Sequence, residues 1–248
     1  MKILAFDTST ESLSIAVGVL QGDVWSLHAH AGAGGAQASA ALIPHAMRLL
    51  HEAGLSLDDL DAVAFGAGPG SFTGLRTACS VAQGLAFGTR ALQGSGGLPV
   101  LPVPTLMAVA EDACARHGAT QVLAVLDARM DEVYAARYVR SAGTAAWRAL
   151  GPTQLLRPEA VQPEPGEVLA GNAHAVYAGR WSAAATGASH VDAAPRAEAM
   201  LRLAPALLAA GCAVPAAQAM PIYIRDKVAQ TTEERAVAKA ASHPASGT

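Results

Sequence analysis

Glycines and a proline shape the stretch 66–76, whose backbone is the first feature of this sequence that could do chemistry. The stretch joins the apolar run 62–65 to a periodic segment beginning near Thr73, which predicts a turn from a strand into a helix. Free N–H groups at a helix start can bind an anion or let another backbone approach closely. No Gly-Lys-Ser/Thr follows the stretch, and its spacing is not that of a dinucleotide-binding turn.

We therefore interpret the stretch as a structural loop that lets the second helix start tightly, and not as a phosphate cradle. The residues assigned to this loop are Gly68, Pro69, Gly70, Ser71, Thr73 and Gly74.

Side chains that could bind a metal ion or attack a substrate are not spaced for either task. The eight histidines never fall four residues apart, so no helix presents two imidazoles to one ion. The cysteines Cys79, Cys114 and Cys212 are far apart and lack a CxxC pattern, which favours reduced thiols. Ser71 lacks the G-x-S-x-G spacing of a nucleophile elbow. The sequence predicts no catalytic residue, no metal and no cofactor.

The N-terminal half is predicted to consist of alternating strands and helices, and these elements must position the loop 66–76. Strands are predicted at 3–6, 12–20 and 24–28, and a flexible loop at 31–36. A helix follows, with Pro44 in its first turn or at a kink, and Gly54 closing it. Its apolar face is formed by Leu42, Ala46, Leu49, Leu50 and Ala53. The helix from Thr73 has a core stripe formed by Leu75, Ala78, Ala82, Leu85 and Ala86.

The second half is richer in strands. The apolar runs predict strands at 99–103, 122–126, 133–140, 146–150, 168–170 and 222–224. Helices are predicted from Pro104 to about Ala115 and over 196–210, with a proline-rich surface loop at 157–167. We expect an α/β protein of two lobes, 1–101 and 102–225, followed by a disordered tail at 226–248.

Composition limits the classes of function. The chain has 248 residues and a net charge of −3, so it offers no basic footprint for binding nucleic acid unaided. Its apolar runs are too short to span a membrane. Asp7 and the polar residues 8–11 interrupt the N-terminal apolar run too early for a signal peptide, so a soluble cytoplasmic protein is expected.

A second face of the helix from Thr73 carries small residues at every fourth position. Ser80, Gly84 and Gly88 form a strip narrow enough for another helix to approach closely. The strip predicts either packing inside this chain or contact with a partner helix, and the residues alone favour neither.

Four segments together resemble the bacterial TsaB family. They are the segment ending at Asp7-Thr-Ser-Thr, the loop through Arg76, the segment Leu-Asp127-Ala-Arg129-Met-Asp-Glu-Val-Tyr134, and Pro221-Ile-Tyr223-Ile-Arg225. The resemblance covers about residues 1–225 in order and spacing. It implies the two-lobe actin-like ATPase fold of actin and the sugar kinases (the ASKHA fold), with each lobe a mixed sheet flanked by helices.

The resemblance also implies a function. The family is a non-catalytic subunit in synthesis of threonylcarbamoyladenosine in tRNA, and it pairs with and activates its larger paralogue, the transferase TsaD. The ATPase TsaE joins the pair, TsaC supplies threonylcarbamoyl-adenylate, and tRNA is bound only through the complex. The alternative is an independent ATPase or metallopeptidase of the same fold.

The resemblance places a heterodimer interface on the two N-terminal helices, at Leu42, Met47, Leu50, Arg76, Ser80, Gly84, Phe87 and Gly88. A homodimer through this face is expected when the partner is absent.

The metal ligands of the paralogue correspond here to Thr105 and Val109, which argues against a metal site. Residual nucleotide contacts would come from Asp7, Asp127, Arg129, Gly171 and Asn172. Asp7 is alternatively a carboxylate that caps the turn after its strand, and Arg129 either binds a phosphate or pairs with Asp131 or Asp7.

Overall fold

The computed structural model describes residues 1–89, 97–141 and 146–225, which form two mixed sheets with helices on their faces. This arrangement confirms the predicted α/β class. The tail predicted at 226–248 lies outside the described residues. None of the helices in the described ranges combines the length and apolar character that a membrane crossing requires.

The first sheet has five strands in the order β3-β2-β1-β4-β5. They are β1 (Lys2–Asp7), β2 (Ser12–Gln21), β3 (Val24–Ala33), β4 (Ala62–Gly68) and β5 (Val100–Pro104). Strands β1 to β3 form an antiparallel meander, and β4 and β5 add in parallel. The loop predicted at 31–36 is wrong in its first half, because Ala31 to Ala33 continue the ladder of β3 against β2.

The second sheet repeats this layout. Its strands are β6 (Gln121–Arg129), β7 (Glu132–Arg140), β8 (Trp147–Ala149), β9 (Gln154–Leu156), β10 (Val168–Ala170) and β11 (Ser189–Val191). The order is β11-β10-β6-β7-β8, with β9 also paired to β7. Again, an antiparallel meander is extended by two strands in parallel.

Helices cover both sheets. They are α1 (Ala38–Glu52), α2 (Phe72–Gly88), α3 (Thr105–His117), α4 (Ala173–Val176), α5 (Ala183–Gly187) and α6 (Ala197–Ala209). Helices α1 and α2 pack on one face of the first sheet, and α6 packs on the other. Helix α3 lies between α6 and the second sheet, whose far face contacts α4 and α5. Helix α6 belongs in sequence to the predicted second lobe, 102–225, but it packs on the first sheet. The lobe boundary at 101/102 therefore stays a prediction.

Two buried carboxylates tie α3 to its neighbours. Glu111 accepts hydrogen bonds from Arg202 of α6 and from the indole N–H of Trp147, both at 2.8 Å. Asp112 pairs with Arg196 at 3.2 Å. Removing one member of such a pair leaves an uncompensated buried charge, so this network holds α3 against α6 and β8.

The C-terminal segment 219–225 is extended but is not the strand predicted at 222–224. The Ile222 N–H donates to the Ala67 carbonyl at 2.6 Å, and no ladder continues from that bond within the described residues. Pro44 lies inside α1, beyond its first turn. The short elements β9, β11, α4 and α5 were not predicted.

Candidate functional site

The glycines of the loop 66–76 pack against the turn that follows β1. A Cβ atom built on Gly74 would lie 1.8 Å from the Thr8 carbonyl oxygen, and one on Gly70 would lie 2.6 Å from that of Ser9. The Thr8 hydroxyl donates to the Gly74 carbonyl at 2.7 Å, and the Ser71 N–H donates to Ser9 O, also at 2.7 Å. These glycines therefore allow the loop to pack closely on the turn after β1.

Gly68 is confined in the same way. Its φ is +119°, and a Cβ atom there would lie 2.5 Å from the Ile222 carbonyl oxygen. Its N–H donates to the Thr105 hydroxyl at 3.1 Å. Only glycine satisfies both the backbone conformation and the close approach of the C-terminal segment. Pro69 and Thr73 complete this loop and the start of α2, and the Gly68–Pro69 peptide is cis.

Asp7 lies at the end of β1 and is buried. Its Oδ1 accepts hydrogen bonds from the Ser9 N–H at 2.8 Å and the Ser9 hydroxyl at 2.7 Å. Its Oδ2 has no hydrogen-bond partner among the described residues and lies where a Cβ atom on Gly66 would be, at 1.7 Å. Burial raises the pKa of Asp7 to about 6, although the Ser9 hydrogen bonds oppose the shift. This geometry matches the capping interpretation of Asp7.

The second carboxylate, Asp127, is held by its own lobe. It accepts hydrogen bonds from the Arg129 N–H at 2.8 Å and the Tyr177 hydroxyl at 2.7 Å. Burial and this bond to Asp127 raise the pKa of Tyr177 to about 12, so the phenol remains a donor at neutral pH. Asn172 uses its side-chain oxygen to accept the Asp127 N–H at 3.0 Å.

Arg129 does not pair with Asp131 or Asp7, and that part of the prediction is wrong. Its guanidinium bonds to Glu11, in the turn after β1, and lies 3.3 Å from Asp127. Asp131 instead pairs with Arg180. Glu11 is 118 positions from Arg129, so no local pattern could have identified this pair.

A cavity of about 350 Å³ opens between the turns of the two sheets. It is lined by Ser9, Thr10, Glu11, Pro69, Gly70, Ser71, Phe72, Leu75, Leu126, Asp127, Ala128, Arg129, Met130, Tyr134, Asn172, Val176, Ile222, Tyr223, Ile224 and Arg225. Its two acidic and two basic side chains balance, so the lining has no positive excess for a phosphate chain.

The five residues assigned to residual nucleotide contacts do not all line the cavity. Asp127, Arg129 and Asn172 line the cavity but already bond to one another or to Glu11. Asp7 does not line the cavity. Gly171 does not line it either, and a Cβ atom there would lie 1.9 Å from the Val125 carbonyl oxygen, so this glycine serves the packing of β10 on β6. Three of the five therefore lie at the cavity and two do not, and their assignment to nucleotide contacts stays a prediction.

The C-terminal segment forms one wall of the cavity, which the sequence did not predict. The Arg76 Nε donates to the Tyr223 hydroxyl at 3.1 Å, and the rings of Phe72 and Tyr223 lie 5.3 Å apart. Arg225 donates to the Ala128 carbonyl at 3.0 Å and pairs with Glu132 at 2.7 Å. The segment thus connects the start of α2 to the β6–β7 turn.

Ser80, Gly84 and Gly88 are exposed on the outer face of α2. Cβ atoms on Gly84 and Gly88 would meet no atom within 4 Å. Packing of this strip inside the chain is therefore wrong for the described residues. Phe87 is 50% exposed and Met47 of α1 is 43% exposed. Arg76 extends the strip toward the helix start and is also exposed.

Leu42 and Leu50 cannot contact a partner, and their assignment to the interface is wrong. Both side chains are buried between α1 and the first sheet. The exposed apolar residue next to Met47 is Ile43, which the sequence prediction missed. A helix turns about 100° per residue, so 43 and 47 lie beside the stripe of 42, 46 and 50. We define the α1–α2 face as Ile43, Met47, Ser80, Gly84, Phe87 and Gly88.

The two positions that correspond to metal ligands in the paralogue both lie in the core. Thr105 and Val109 are fully buried in α3. The Thr105 hydroxyl accepts a hydrogen bond from Gly68. Among the described residues, no group of three or more His, Cys, Asp or Glu side chains is arranged to hold a metal ion.

Comparison with known proteins matches this chain to a TsaD profile and to relatives named TsaB. The profile of "TsaD: tRNA N6-adenosine threonylcarbamoyltransferase" matches residues 29–233. The "tRNA threonylcarbamoyladenosine biosynthesis protein TsaB" of Escherichia coli K12 is 37% identical over 240 residues, covering 92% of this chain and 96% of the relative. The protein of the same name from Haemophilus influenzae is 34% identical, covering 92% of this chain and 95% of the relative. The solved structure of YeaZ from Pseudomonas aeruginosa superimposes with a TM-score of 0.77 at 39% identity, covering 90% of this chain and 99% of that chain.

Proposed function

The chain belongs to the TsaB family of tRNA threonylcarbamoyladenosine biosynthesis proteins, and on that premise we propose that it is a non-catalytic subunit that pairs with TsaD. Pairing holds and activates the transferase, and TsaE joins the pair. Transfer RNA reaches this chain only through the complex, which accords with a net charge of −3. We also propose a cytoplasmic location, which fits a role in tRNA modification.

One observation carries the proposal: no described residue covers the α1–α2 face, although its side chains are small or apolar. Gly84 and Gly88 let a partner helix approach the backbone of α2, and the exposed side chains of Ile43, Met47 and Phe87 border the contact. An apolar anchor beside a close helix contact is typical of the centre of a stable interface. TsaD is the paralogue of this family and is the partner that we assign to the face.

The non-catalytic role rests on what occupies the reactive positions. Thr105 and Val109 replace the paralogue's metal ligands, and a buried valine cannot coordinate an ion. Asp7 is enclosed beside Gly66, and Arg129 is bonded to Glu11 and Asp127. These contacts favour a structural role for each group over phosphate transfer or peptide hydrolysis.

Nucleoside mass spectrometry of tRNA tests the proposal. Depletion of this chain should reduce threonylcarbamoyladenosine, wild-type protein should restore it, and Gly84→Leu should not. The matched variant Gly187→Leu changes an exposed glycine at the end of α5, away from the face, where an added Cβ atom would meet no described atom within 4 Å, and it should restore the nucleoside. Unchanged threonylcarbamoyladenosine after depletion would refute the role.

Metal analysis and ATP turnover of the purified chain separate the proposal from an independent enzyme of the same fold. The proposal predicts no stoichiometric zinc or iron and no robust hydrolysis in the absence of partners. Either one, found with the chain alone, would favour an ATPase or a metallopeptidase.

A further inference from the structure

The cavity between the turns of the two sheets is large enough to hold a small molecule. Its volume of about 350 Å³ lies within the range of ligand pockets, which is about 300–1,000 Å³. A cavity of about 150 Å³ is sufficient to bind benzene. The cavity of this chain therefore has room for a compound of about two rings.

Exposed apolar side chains converge on the mouth of this cavity. They come from the start of α2, the β6–β7 turn, α4 and the C-terminal segment, and they are Phe72, Met130, Val176, Ile222 and Tyr223. A group of exposed apolar side chains around a concave surface is typical of a ligand-binding site. The lining therefore favours a ligand with an apolar body.

Met130 is held at this mouth by an unfavourable backbone conformation. Arg129 pairs with Glu132 across the β6–β7 turn, and the φ angles of Arg129, Met130 and Asp131 are +62°, +55° and +60°. Two-residue turns of this kind are usually formed by Asn and Gly, because longer side chains disfavour positive φ. Such conformations cluster at functional sites. The turn thus keeps a large apolar side chain, 58% exposed, beside the cavity.

Tyr134 of β7 presents an unpaired hydroxyl to the cavity. The residue is only 7% exposed and lines the cavity, and no described residue forms a hydrogen bond with its hydroxyl. In the described ranges, the side-chain polar atoms that are enclosed without a partner are Asp7 Oδ2 and His190 Nδ1, so the Tyr134 oxygen is not sealed in the core. Buried polar groups are normally hydrogen-bonded, and this hydroxyl is therefore available to a ligand.

Asn172 supplies a second donor at the same cavity. Its side-chain oxygen accepts the Asp127 N–H at 3.0 Å, which fixes the orientation of the amide. The NH2 group of this amide has no hydrogen-bond partner in the described ranges, and it is not enclosed either. Together with Tyr134, it offers hydrogen bonds to an acceptor on a ligand.

The charged side chains of the lining are already compensated by one another. Arg129 bonds to Glu11 and lies 3.3 Å from Asp127, and Arg225 pairs with Glu132 at 2.7 Å. A ligand with a net charge would have to compete with these pairs. The lining therefore favours an uncharged ligand.

We propose that this cavity binds an uncharged ligand with a flat apolar body of about two rings and one hydrogen-bond acceptor, such as a carbonyl oxygen. The rings of Phe72 and Tyr223 pack on the flat body, and Tyr134 and Asn172 donate to the acceptor. None of the residues that define the α1–α2 face lines the cavity. The inference is therefore independent of pairing with TsaD.

Titration of the full-length chain with coumarin tests the inference. The matched probe is 2H-chromene, which has the same two rings without the carbonyl oxygen. Methyl ¹H–¹³C spectra report binding at Met130 and Ile222, which line the cavity, and at Met47, which does not. Coumarin should shift the Met130 and Ile222 signals until they saturate, leave Met47 unchanged, and bind more tightly than 2H-chromene.

Two substitutions separate the hydroxyl from the space of the cavity. Tyr134→Phe keeps the ring, so it should weaken coumarin binding about twofold to tenfold, as expected for one neutral hydrogen bond, and leave 2H-chromene binding unchanged. Val176→Trp should fill the mouth and prevent binding of both probes. The matched variant Val24→Trp changes an exposed valine of β3 that does not line the cavity, and it should bind both probes like wild type. Circular dichroism checks that each variant folds.

Three results would overturn the inference. One is the absence of a saturable shift at Met130 and Ile222. Another is equal weakening of both probes by Tyr134→Phe, which would give the hydroxyl a purely structural role. The third is tighter binding of ATP than of coumarin at these methyl groups, which would assign a charged ligand to the cavity. Every measurement uses the chain alone, so a failure of pairing with TsaD would leave these results unchanged.

Discussion

Asp7 is enclosed by its own chain, and this enclosure determines how the carboxyl group titrates. One oxygen accepts two hydrogen bonds from Ser9, and the other lies against Gly66 without a partner among the described residues. Burial penalises the charged form more than the Ser9 bonds favour it, which raises the pKa from 3.8 to about 6. The native state therefore binds more protons than the unfolded chain between these two values, and Asp7 contributes stability at low pH that is lost as the pH rises toward 6.

Asp7→Asn should remove this dependence. The free energy of unfolding of the variant, relative to wild type, should rise by up to about 3 kcal/mol between pH 4 and pH 7, because one pKa unit corresponds to about 1.4 kcal/mol. Urea unfolding at a series of pH values measures the difference. Ser9→Ala removes a bond that lowers the pKa, so it should move the transition to higher pH. A variant-to-wild-type difference that is flat across this range would contradict the account of Asp7.

Gly74 and Gly84 lie on the same helix but meet different surroundings. An added Cβ on Gly74 would collide with the Thr8 carbonyl oxygen at 1.8 Å, whereas one on Gly84 would meet nothing within 4 Å. Gly74→Ala should therefore lower the free energy of unfolding by about 3 kcal/mol, since neither backbone can move away easily. Gly84→Ala should raise it by about 0.5–1 kcal/mol, because alanine favours an exposed helix interior. Chemical denaturation compares the pair, and equal effects would refute the packing described for the loop.

Helix α1 shows how far the sequence predicts an element. Its apolar period identified the buried face of Leu42, Ala46 and Leu49. The same stripe was then assigned to a partner, and that assignment failed because one helix face cannot pack on the sheet and contact another protein. Ile43 and Met47 lie beside the stripe and are exposed. Their exposure depends on where α2 and the sheet lie, which periodicity does not give.

Two substitutions on α1 separate its faces. Leu42→Ala should lower the free energy of unfolding by about 2–5 kcal/mol through the cavity that it leaves, and its folded fraction should still bind TsaD. Met47→Ala should change stability by less than about 0.5 kcal/mol but weaken binding to TsaD about tenfold. Thermal unfolding and a binding titration measure the two effects. Loss of binding only with the Leu42 variant would place the interface elsewhere.

Across the whole molecule, the sequence predicted the longer elements and the α/β class. The strands from β1 to β7 and the helices α1, α2, α3 and α6 are long enough to show a period. The strands β9 and β11 were missed, although β8 and β10, which also have three residues each, were predicted from their apolar runs. The segment 222–224 has the composition of a strand, yet its neighbours leave it one backbone bond to Ala67.

The contacts that join the two sheets are formed by residues far apart in the sequence, and the sequence predicted few of them. Arg129 bonds to Glu11, and the C-terminal segment connects Arg76 to the β6–β7 turn through Tyr223 and Arg225. The motifs that contain these residues were recognised by resemblance, but their partners depend on the folded arrangement. The nucleotide contacts stay a prediction, and the structure adds a set of ties between the two sheets, beside a helical face that no described residue covers.

A calorimetric titration of TsaD with this chain tests the central claim most directly. Wild type should bind with an affinity that Gly84→Leu lowers at least about a hundredfold, because leucine prevents the close approach of a partner helix at the centre of the α1–α2 face. The variant should remain folded, since an added Cβ atom at Gly84 would meet no atom of the described residues within 4 Å apart from the adjacent backbone of α2. Binding of folded Gly84→Leu to TsaD with wild-type affinity would contradict the assignment of this face.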